Sequence, residues 1–387
     1  MTSSDAAGLL VPSYGSRTLA DVLPAVGAAL GVDAGYPPVE LALPDAPAYV
    51  VLLVDGMGAE LIRSHRDHAP YLHAMLTRAG DDGLGTCGVP STTATSLTSL
   101  GTGLPPGAHG VVGFTSRIPE GQGPKPGTLL NALQWNPDKL EPERWQPHET
   151  AFDRLGRAGV VTSVVSKREY AGSGLTRSAQ RGASYVGADH VGERVAAAVA
   201  GSSYSPSLTY VYDNELDWTG HRFGVDSPAW RQQLISIDAQ VEQLREALPP
   251  AVRLLVTADH GMVDATGPED RVDVDEVEGL RDGVALLGGE ARLRHVYVAP
   301  GAAEDVRETW AAQLGHRATV LLREDAVARG WFGAVEDRVL PRLGDVVVAA
   351  TGSVGLFSSV DFSYETRLVG LHGSLTPTEM RVPLLLD

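Results

Sequence analysis

The chain of 387 residues contains one cysteine, Cys87, so an intramolecular disulfide framework and a zinc–thiolate cluster are both excluded. Its first residues, MTSSDAAGLLVPSYGS, lack a basic stretch followed by a long apolar one, and no secretory leader is expected. A membrane span is missing as well. Residues 83–116 carry no Asp, Glu, Lys or Arg, but Gly, Ser, Thr and Pro break the run well short of the ~20 successive apolar residues that a span needs. Basic residues are scarce: 31 Lys and Arg face 48 Asp and Glu, a net charge of −17, with a pI near 5.0. Such a surface is unsuited to gripping a nucleic-acid polymer. The expectation is a cytoplasmic protein with neither a membrane nor polymeric nucleic acid as its partner. Any phosphate it handles must find positive charge in bound metal or in a few placed side chains.

Apolar material is plentiful. Hydrophobic residues make up 43% of the chain, enough for one large α/β domain with an insertion, or for two domains. Short apolar runs at 49–54, 208–212 and 254–257 stop at or just before an aspartate: Asp55, Asp213 and Asp259. Continuous runs of this length read as strands buried on both faces, and 160–165 reads as another, behind a helix from about Thr150. Leu19, Val22, Val26 and Leu30 recur at helical spacing behind Ser16 and Thr18 and predict an amphipathic helix over 17–31. A second helix is predicted over 227–248, ending at Pro249-Pro250.

This β-α-β rhythm predicts an α/β fold with a mostly parallel central sheet flanked by helices. Ligands of such sheets bind beyond the carboxyl ends of the strands, where Asp55 and Asp259 would stand. Two stretches break the rhythm. Residues 118–148 are rich in Pro and Gly and read as a long loop or lid. Residues 266–344 hold β-α-β material of their own, including 293–298 and 319–322, and predict a small α+β inserted cap. The main sheet is expected to resume at 345–349, so that 1–265 and 345–387 form the core.

Three Asp and three His stand in contexts that suit metal binding. Asp55 closes the first strand, and Asp259 and His260 are adjacent at the end of another. Asp217 and His221 are spaced i and i+4, which brings both to one face of a helix. His372 lies in Leu371-His372-Gly373, near the C-terminus. Singly, each has a structural explanation as turn former, cap or solvated pair. Together, carboxylates and imidazoles suit Zn²⁺ or Mn²⁺. Three carboxylates alone would repel a phosphate, whereas two divalent cations reverse the local sign and clamp the oxygens of an in-line displacement. The nucleophile candidates lie in Pro90-Ser91-Thr92-Thr93-Ala94-Thr95-Ser96, a segment that reads as a helix start. Residue types there leave Ser91, Thr92, Thr93 and Thr95 open.

The ordered elements VDGMG, PSTTATSLTSLGTGLPPGAHG, DWTGH, TADHGM and LHGSLTPTEMRVP resemble those of the alkaline phosphatase superfamily. Their spacing is most similar to the nucleotide pyrophosphatase/phosphodiesterase branch, over about residues 50–383. In that branch the nucleophilic threonine stands three residues after a proline and nine before the threonine of a Thr-Gly pair. Counting from Pro90 and back from Thr102 both give Thr93.

The resemblance implies an alkaline-phosphatase-like core and two divalent ions, Mn²⁺ or Zn²⁺. One would be held by Asp217, His221 and His372, the other by Asp55, Asp259 and His260. It further implies a double displacement through a phosphothreonine at Thr93. Many relatives carry an asparagine three residues after the nucleophile; this chain has Ser96 there, which becomes a candidate phosphate contact. Relatives are also often secreted and disulfide-rich. The compact form is most similar to bacterial phosphodiesterases that degrade cyclic di-AMP through pApA to AMP with Mn²⁺. The implied partner is a small nucleotide, a cyclic or linear dinucleotide.

Other chemistries compete. Cys87-Gly88-Val89-Pro90-Ser91 lacks the spacing and the Arg of a sulfatase site. A phosphomonoesterase, a phosphonoacetate hydrolase and a non-catalytic binding protein remain as alternatives. Monoesters carry an extra negative charge and call for a further cation; no Lys or Arg is local to Thr93, although Arg117, Lys125 or Arg294 could fold inward. Trp135, Trp145, Tyr170, Tyr212 and Trp218 are candidates for base stacking, with core or lid packing as the plainer reading, and Phe223 and Trp230 are read as structural. His109 reads as a structural hydrogen-bond partner in its Gly-rich turn, and His295 as a residue within reach of substrate.

Overall fold

The apolar run ending at Asp55 becomes the middle of the molecule. All seven residues of the strand Ala48–Val54 are buried, because parallel neighbours occupy both its edges, Val252–Thr257 on one side and Ser207–Asp213 on the other, and helices cover the sheet. The computed structural model describes residues 3–4 and 8–387; the opening segment read for a leader lies partly outside the described residues. From one edge, the seven-stranded sheet runs Leu84–Thr86, Arg381–Leu386, Val252–Thr257, Ala48–Val54, Ser207–Asp213, Val161–Ser166 and Ser184–Gly187. Arg381–Leu386 pairs antiparallel with both its neighbours and the other four pairings are parallel, so the central sheet is mostly parallel, as the sequence predicts.

Helices cover it in two packed groups. One comprises Leu19–Ala29, Thr93–Thr102, Ala151–Arg157 and Gly174–Gln180; the other comprises Pro70–Ala79, Val191–Gly201 and Pro228–Ala247. Their starts are chemically specified. The Asp21 carboxylate accepts from the Thr18 backbone N–H at 2.8 Å and from its hydroxyl at 2.7 Å. Ser227 caps its helix by accepting from the Trp230 N–H at 3.2 Å, ahead of a proline at the first position.

A second sheet has four antiparallel strands in the order Val284–Glu290, Leu293–Val298, Val346–Ala350 and Ala318–Leu322. The helix Ala303–Leu314 closes it, with Trp310 buried in the shared core. This corrects one sequence expectation. Val346–Ala350 does not resume the main sheet; it lies inside the second one, pairing with Leu293–Val298 and Ala318–Leu322. A five-residue run buried throughout suits the interior of either sheet, so burial alone gives no sign of which one it joins. The Pro- and Gly-rich stretch 118–148 is also more ordered than a free lid. Leu129–Asn131 pairs with Thr115–Arg117, and Ile118, Leu130, Trp135, Leu140 and Trp145 form a small hydrophobic cluster.

Two buried ion pairs fasten the second sheet to its surroundings. In the hairpin after Glu290, Arg292 meets the Glu379 carboxylate through Nε at 3.0 Å and Nη2 at 2.7 Å, and both side chains are fully buried. Arg294 pairs likewise with Glu365. Glu379 also accepts from the Ser374 N–H at 2.9 Å, so it ties the hairpin to the loop that carries His372. Glu379→Ala strands the Arg292 charge in a dry interior, and the expected loss of stability is about 3–5 kcal/mol in urea unfolding. A loss below about 1 kcal/mol would show that the pair does not fasten these segments.

Candidate metal centre and active site

Strand register assembles the first half of the site. Leu53 pairs with Thr257 on one side and with Tyr212 on the other, so Asp55, Asp213 and Asp259 emerge along one edge of the sheet. Gly56 follows Asp55 with φ +73°, and a Cβ there would lie 3.1 Å from the Asp217 Cβ. The glycine thus admits the helix Glu215–Phe223 close to the strand end. On that helix Asp217 and His221 share a face, with Oδ2 and Nε2 3.4 Å apart. His372 arrives from the segment after the strand Gly370–Leu371, its Nε2 3.2 Å from His221 Nε2 and 3.8 Å from Asp217 Oδ1. Its ring stacks on His260 at 3.7 Å between centroids.

The six expected ligands therefore converge. Asp217, His221 and His372 form one group whose ligand atoms lie within 4.8 Å of one another, and Asp55, Asp217 and His260 form another. Asp217 stands between the two. Asp259 joins the second group through Oδ2, 3.4 Å from His260 Nε2, while its Oδ1 accepts from the Gly56 and His260 N–H groups at 3.0 Å each.

Each imidazole is oriented by a backbone carbonyl. Nδ1 lies 2.7 Å from Gly370 O in His221, 3.0 Å from Ser91 O in His372, and 3.0 Å from Gly261 O in His260. Carbonyls only accept, so Nδ1 carries the proton and Nε2 presents a lone pair in all three. Two such lone pairs, His221 and His372, face each other at 3.2 Å, an arrangement that repels until a cation comes between them. Asp217 Oδ1 and Asp259 Oδ2 are buried without a hydrogen-bond partner. Orphaned carboxylate oxygens beside converging imidazole lone pairs fit divalent cations such as Zn²⁺ or Mn²⁺.

Electrostatics agree. Burial raises the pKa of Asp55 well above the carboxylate range, and Asp259 and Asp217 add to the effect. Asp259 is raised chiefly by burial. His372 is pushed well below the usual imidazole range by burial and by its two histidine neighbours, so it stays in the ligating neutral form. Tyr212 stays a phenol for the same reason of burial, and its hydroxyl donates to Asp55 Oδ2.

Thr93 opens the helix Thr93–Thr102, with Thr92 as the capping residue. Its Oγ1 lies 3.3 Å from Asp55 Oδ2 and 3.3 Å from His260 Nε2. The other hydroxyls in the segment point elsewhere: Ser91 donates to Ser374 O at 2.6 Å, and the Thr95 hydroxyl is buried without a partner. First-turn N–H groups lack partners within the helix and suit an anion. Ser96 sits a turn along, its hydroxyl buried and unpartnered, and lines neither cavity at Thr93.

Two cavities meet at Thr93. One, of about 320 Å³, is bounded by Phe114, Glu290, Tyr364, Glu365 and His372. The other, of about 470 Å³, is bounded by Leu97, Tyr170, Leu175, Asn214 and Trp218. Thr93, Leu133, Asp217 and His221 line both, and no Lys or Arg lines either.

Of the aromatic candidates, Tyr170 and Trp218 reach the larger cavity, and Tyr212 lines it while serving Asp55. Trp135, Trp145 and Trp230 are core, and Phe223 packs edge-on against Trp218. His295 is fully buried, its Nε2 2.8 Å from Val112 O, so it stays away from substrate. His109 is structural, 2.9 Å from Ser99 Oγ. Arg117 lies over the Tyr297 ring, Arg294 is spent on Glu365, and Lys125 is exposed. The role of Tyr212 and the cavity positions of Leu133, Glu290 and Tyr364 had no local sequence signal.

The sequence pattern of the type I phosphodiesterase / nucleotide pyrophosphatase family matches residues 49–375. Human ectonucleotide pyrophosphatase/phosphodiesterase family member 7 is 40% identical over 60 residues, a segment covering 14% of this chain and 13% of that protein. The fold is similar to that of murine ectonucleotide pyrophosphatase/phosphodiesterase 5, solved as an inactive variant with AMP (TM-score 0.66, 18% identity, 87% of each chain). It is also similar to phosphonoacetate hydrolase from Sinorhizobium meliloti 1021, solved with phosphonoformate (TM-score 0.64, 20% identity, 89% of this chain and 90% of that one). Among the described residues, no helix is long and apolar enough to cross a membrane.

A cation bound here stabilises the folded chain by mass action, by about 2.7 kcal/mol at a hundredfold excess over Kd. Asp55 and Asp259, raised on folding, favour the ion-free protein at low pH and cost stability as pH rises; binding requires those protons to leave. The Mn²⁺-induced rise in Tm is therefore expected to grow from pH 5 to pH 8, and to shrink sharply in Asp217→Asn. An unchanged Tm with Mn²⁺ and Zn²⁺ across that range would remove the metal centre.

Proposed function

The chain belongs to the type I phosphodiesterase / nucleotide pyrophosphatase family, and from that premise we propose that it hydrolyses nucleotide phosphodiesters with Thr93 as the nucleophile. The observation that carries the reading is the meeting of two cavities at one hydroxyl. A phosphodiester has two organic arms, and each finds a largely apolar recess while its phosphorus lies against Thr93 Oγ1. Phosphomonoesters and phosphonoacetate carry more negative charge and a single arm or less. Two recesses without a Lys or Arg in their walls suit them poorly.

In this reading Asp217, His221 and His372 hold one divalent ion, and Asp55, Asp259 and His260 the other. When bound, such ions lower the pKa of a threonine hydroxyl and offset phosphate charge. The chain's own residues do the rest. Thr93 Oγ1 loses its proton to water and forms the bond to phosphorus, while the ester bond to the leaving arm breaks and the leaving oxygen takes up a proton from water. First-turn N–H groups of the helix face the phosphate oxygens. Water then cleaves the phosphothreonine, restoring the hydroxyl and releasing the phosphate with its remaining arm. Tyr212 keeps Asp55 in place by its hydrogen bond. Within the class, cyclic di-AMP opened to pApA and then cleaved to AMP is the substrate proposed first. Resemblance supports that choice, together with a larger cavity whose Tyr170 and Trp218 give a base aromatic neighbours.

Cyclic di-AMP, cyclic di-GMP, pApA, an aryl phosphodiester and an aryl phosphomonoester, compared at equal concentration with Mn²⁺ by chromatography, test the proposal. Diesters are expected to turn over and the monoester to lag. Thr93→Ala is expected to lose at least about a thousandfold in turnover while retaining wild-type metal content. Preference for the monoester would overturn the diesterase assignment, and full activity in Thr93→Ala would move the nucleophile elsewhere.

A further inference from the structure

Among the described residues three glutamates are buried: Glu290, Glu365 and Glu379. Glu365 and Glu379 answer to Arg294 and Arg292. Glu290 has no such partner. It ends the strand Val284–Glu290, is 7% exposed, and lines the smaller cavity together with Thr92, Thr93 and His372. Its Oε1 is buried without a hydrogen-bond partner. Arg294, the nearest guanidinium in charge terms, is committed through Nε to Leu356 O at 2.8 Å and through its remaining nitrogens to Glu365.

The position is built rather than incidental. Gly373 follows His372 with φ +133°, and a Cβ there would lie 2.7 Å from the Glu290 Cγ, so only glycine leaves room for this side chain. Thr92, which caps the helix opened by Thr93, faces the same carboxyl group, as does the Phe114 N–H. Burial outweighs both and, with help from Glu365, pushes Glu290 up to about 8. The idle oxygen of a buried carboxyl group costs stability that its other contacts offset only in part. The rest has to come from a ligand. Around it the wall is apolar, with Phe114, Leu133, Ala291, Leu368 and Leu371.

We propose that Glu290 is a specificity-determining residue that exchanges, at Oε1, a hydrogen bond with a hydroxyl or amine on the substrate arm in the smaller cavity. This rests on the diesterase reading and deepens it. The favoured arm has an apolar body and one well-placed donor, as a nucleoside sugar or an exocyclic amine provides. An arm lacking a donor leaves the oxygen unpaired and binds less well.

The test compares adenylyl-(3′→5′)-adenosine, whose arms carry donors, with bis(4-nitrophenyl) phosphate, whose arms carry none, in the Mn²⁺-loaded full chain. In Glu290→Leu the ratio of kcat/KM for the dinucleoside over the aryl diester is expected to fall about tenfold or more. The fall should come through KM. Glu290→Gln, which keeps the shape and a hydrogen-bonding group at the same place, should recover most of the ratio. Glu290→Gln should melt close to wild type, and Glu290→Leu, which removes the acceptor that the Phe114 N–H faces, somewhat lower. An unchanged ratio, whether or not both rates drop together, overturns the proposal, and so does a Glu290→Gln variant as impaired as Glu290→Leu. If the wild type cleaves the aryl diester but no nucleotide diester, the nucleotide reading fails first and Glu290 recognition fails with it.

Discussion

Three carboxylates gathered at one edge of the sheet, two of them fully buried, set the terms for everything around them. Asp55, Asp217 and Asp259 arrive from a central strand, a short helix and a neighbouring strand end; Asp55 and Asp259 face His260, and Asp217 faces His221 and His372. Burial above all, with mutual repulsion added, raises the pKa of Asp55 well above that of an ordinary aspartate and raises that of Asp259 as well. A fold that needed only stability would replace such a cluster with apolar side chains. Keeping it makes sense only where positive charge arrives from outside the chain, and that requirement reaches into the backbone. The carbonyls of Gly261, Gly370 and Ser91 are placed to turn three histidines toward the carboxylates, and Gly56 lets Asp217 approach.

The second sheet belongs to the same design. His372 sits on a segment near the end of the chain, and such segments move unless fastened. Here the fastening is ionic: Glu379 accepts from Ser374 and pairs with Arg292, which also donates to Gly352 O at 2.8 Å. The hairpin that supplies Arg292 also supplies Glu290 and Arg294. One turn of chain thus fixes a proposed ligand and forms a cavity wall, so the second sheet and the candidate metal centre are mechanically joined.

Much of this was legible in the sequence, for reasons particular to each element. Apolar runs ending in aspartate marked the buried strands, since only a strand covered on both faces tolerates six or seven apolar residues in succession. The i, i+4 spacing placed Asp217 and His221 on one helix face. Tyr212 was legible only as an aromatic, because its bond to Asp55 follows from the register between two strands far apart in sequence. Glu290 had no signal at all: a lone glutamate after Gly-Gly reads as a turn until the loop at Gly373 is seen to leave room for it. Val346–Ala350 was placed in the wrong sheet because pairing partners are set by tertiary context, which a local apolar pattern does not encode. Pairwise geometry, whether strand to strand or hairpin to loop, is the common ingredient of every miss.

The charge of the chain sharpens the choice among substrates. A net charge of −17 repels anions at long range, and the two cavities add Glu290 and Glu169 to their walls, with no Lys or Arg lining either among the described residues. Attraction for phosphate is then confined to the few ångströms around the metal ligands and the helix start at Thr93. A monoanionic diester concentrates its charge at that one point and presents uncharged arms to the acidic walls. A dianionic monoester, or a phosphonate with a carboxylate arm, must leave part of its charge facing carboxyl groups. The proposed preference for diesters thus rests on where positive charge is missing as much as on where it gathers.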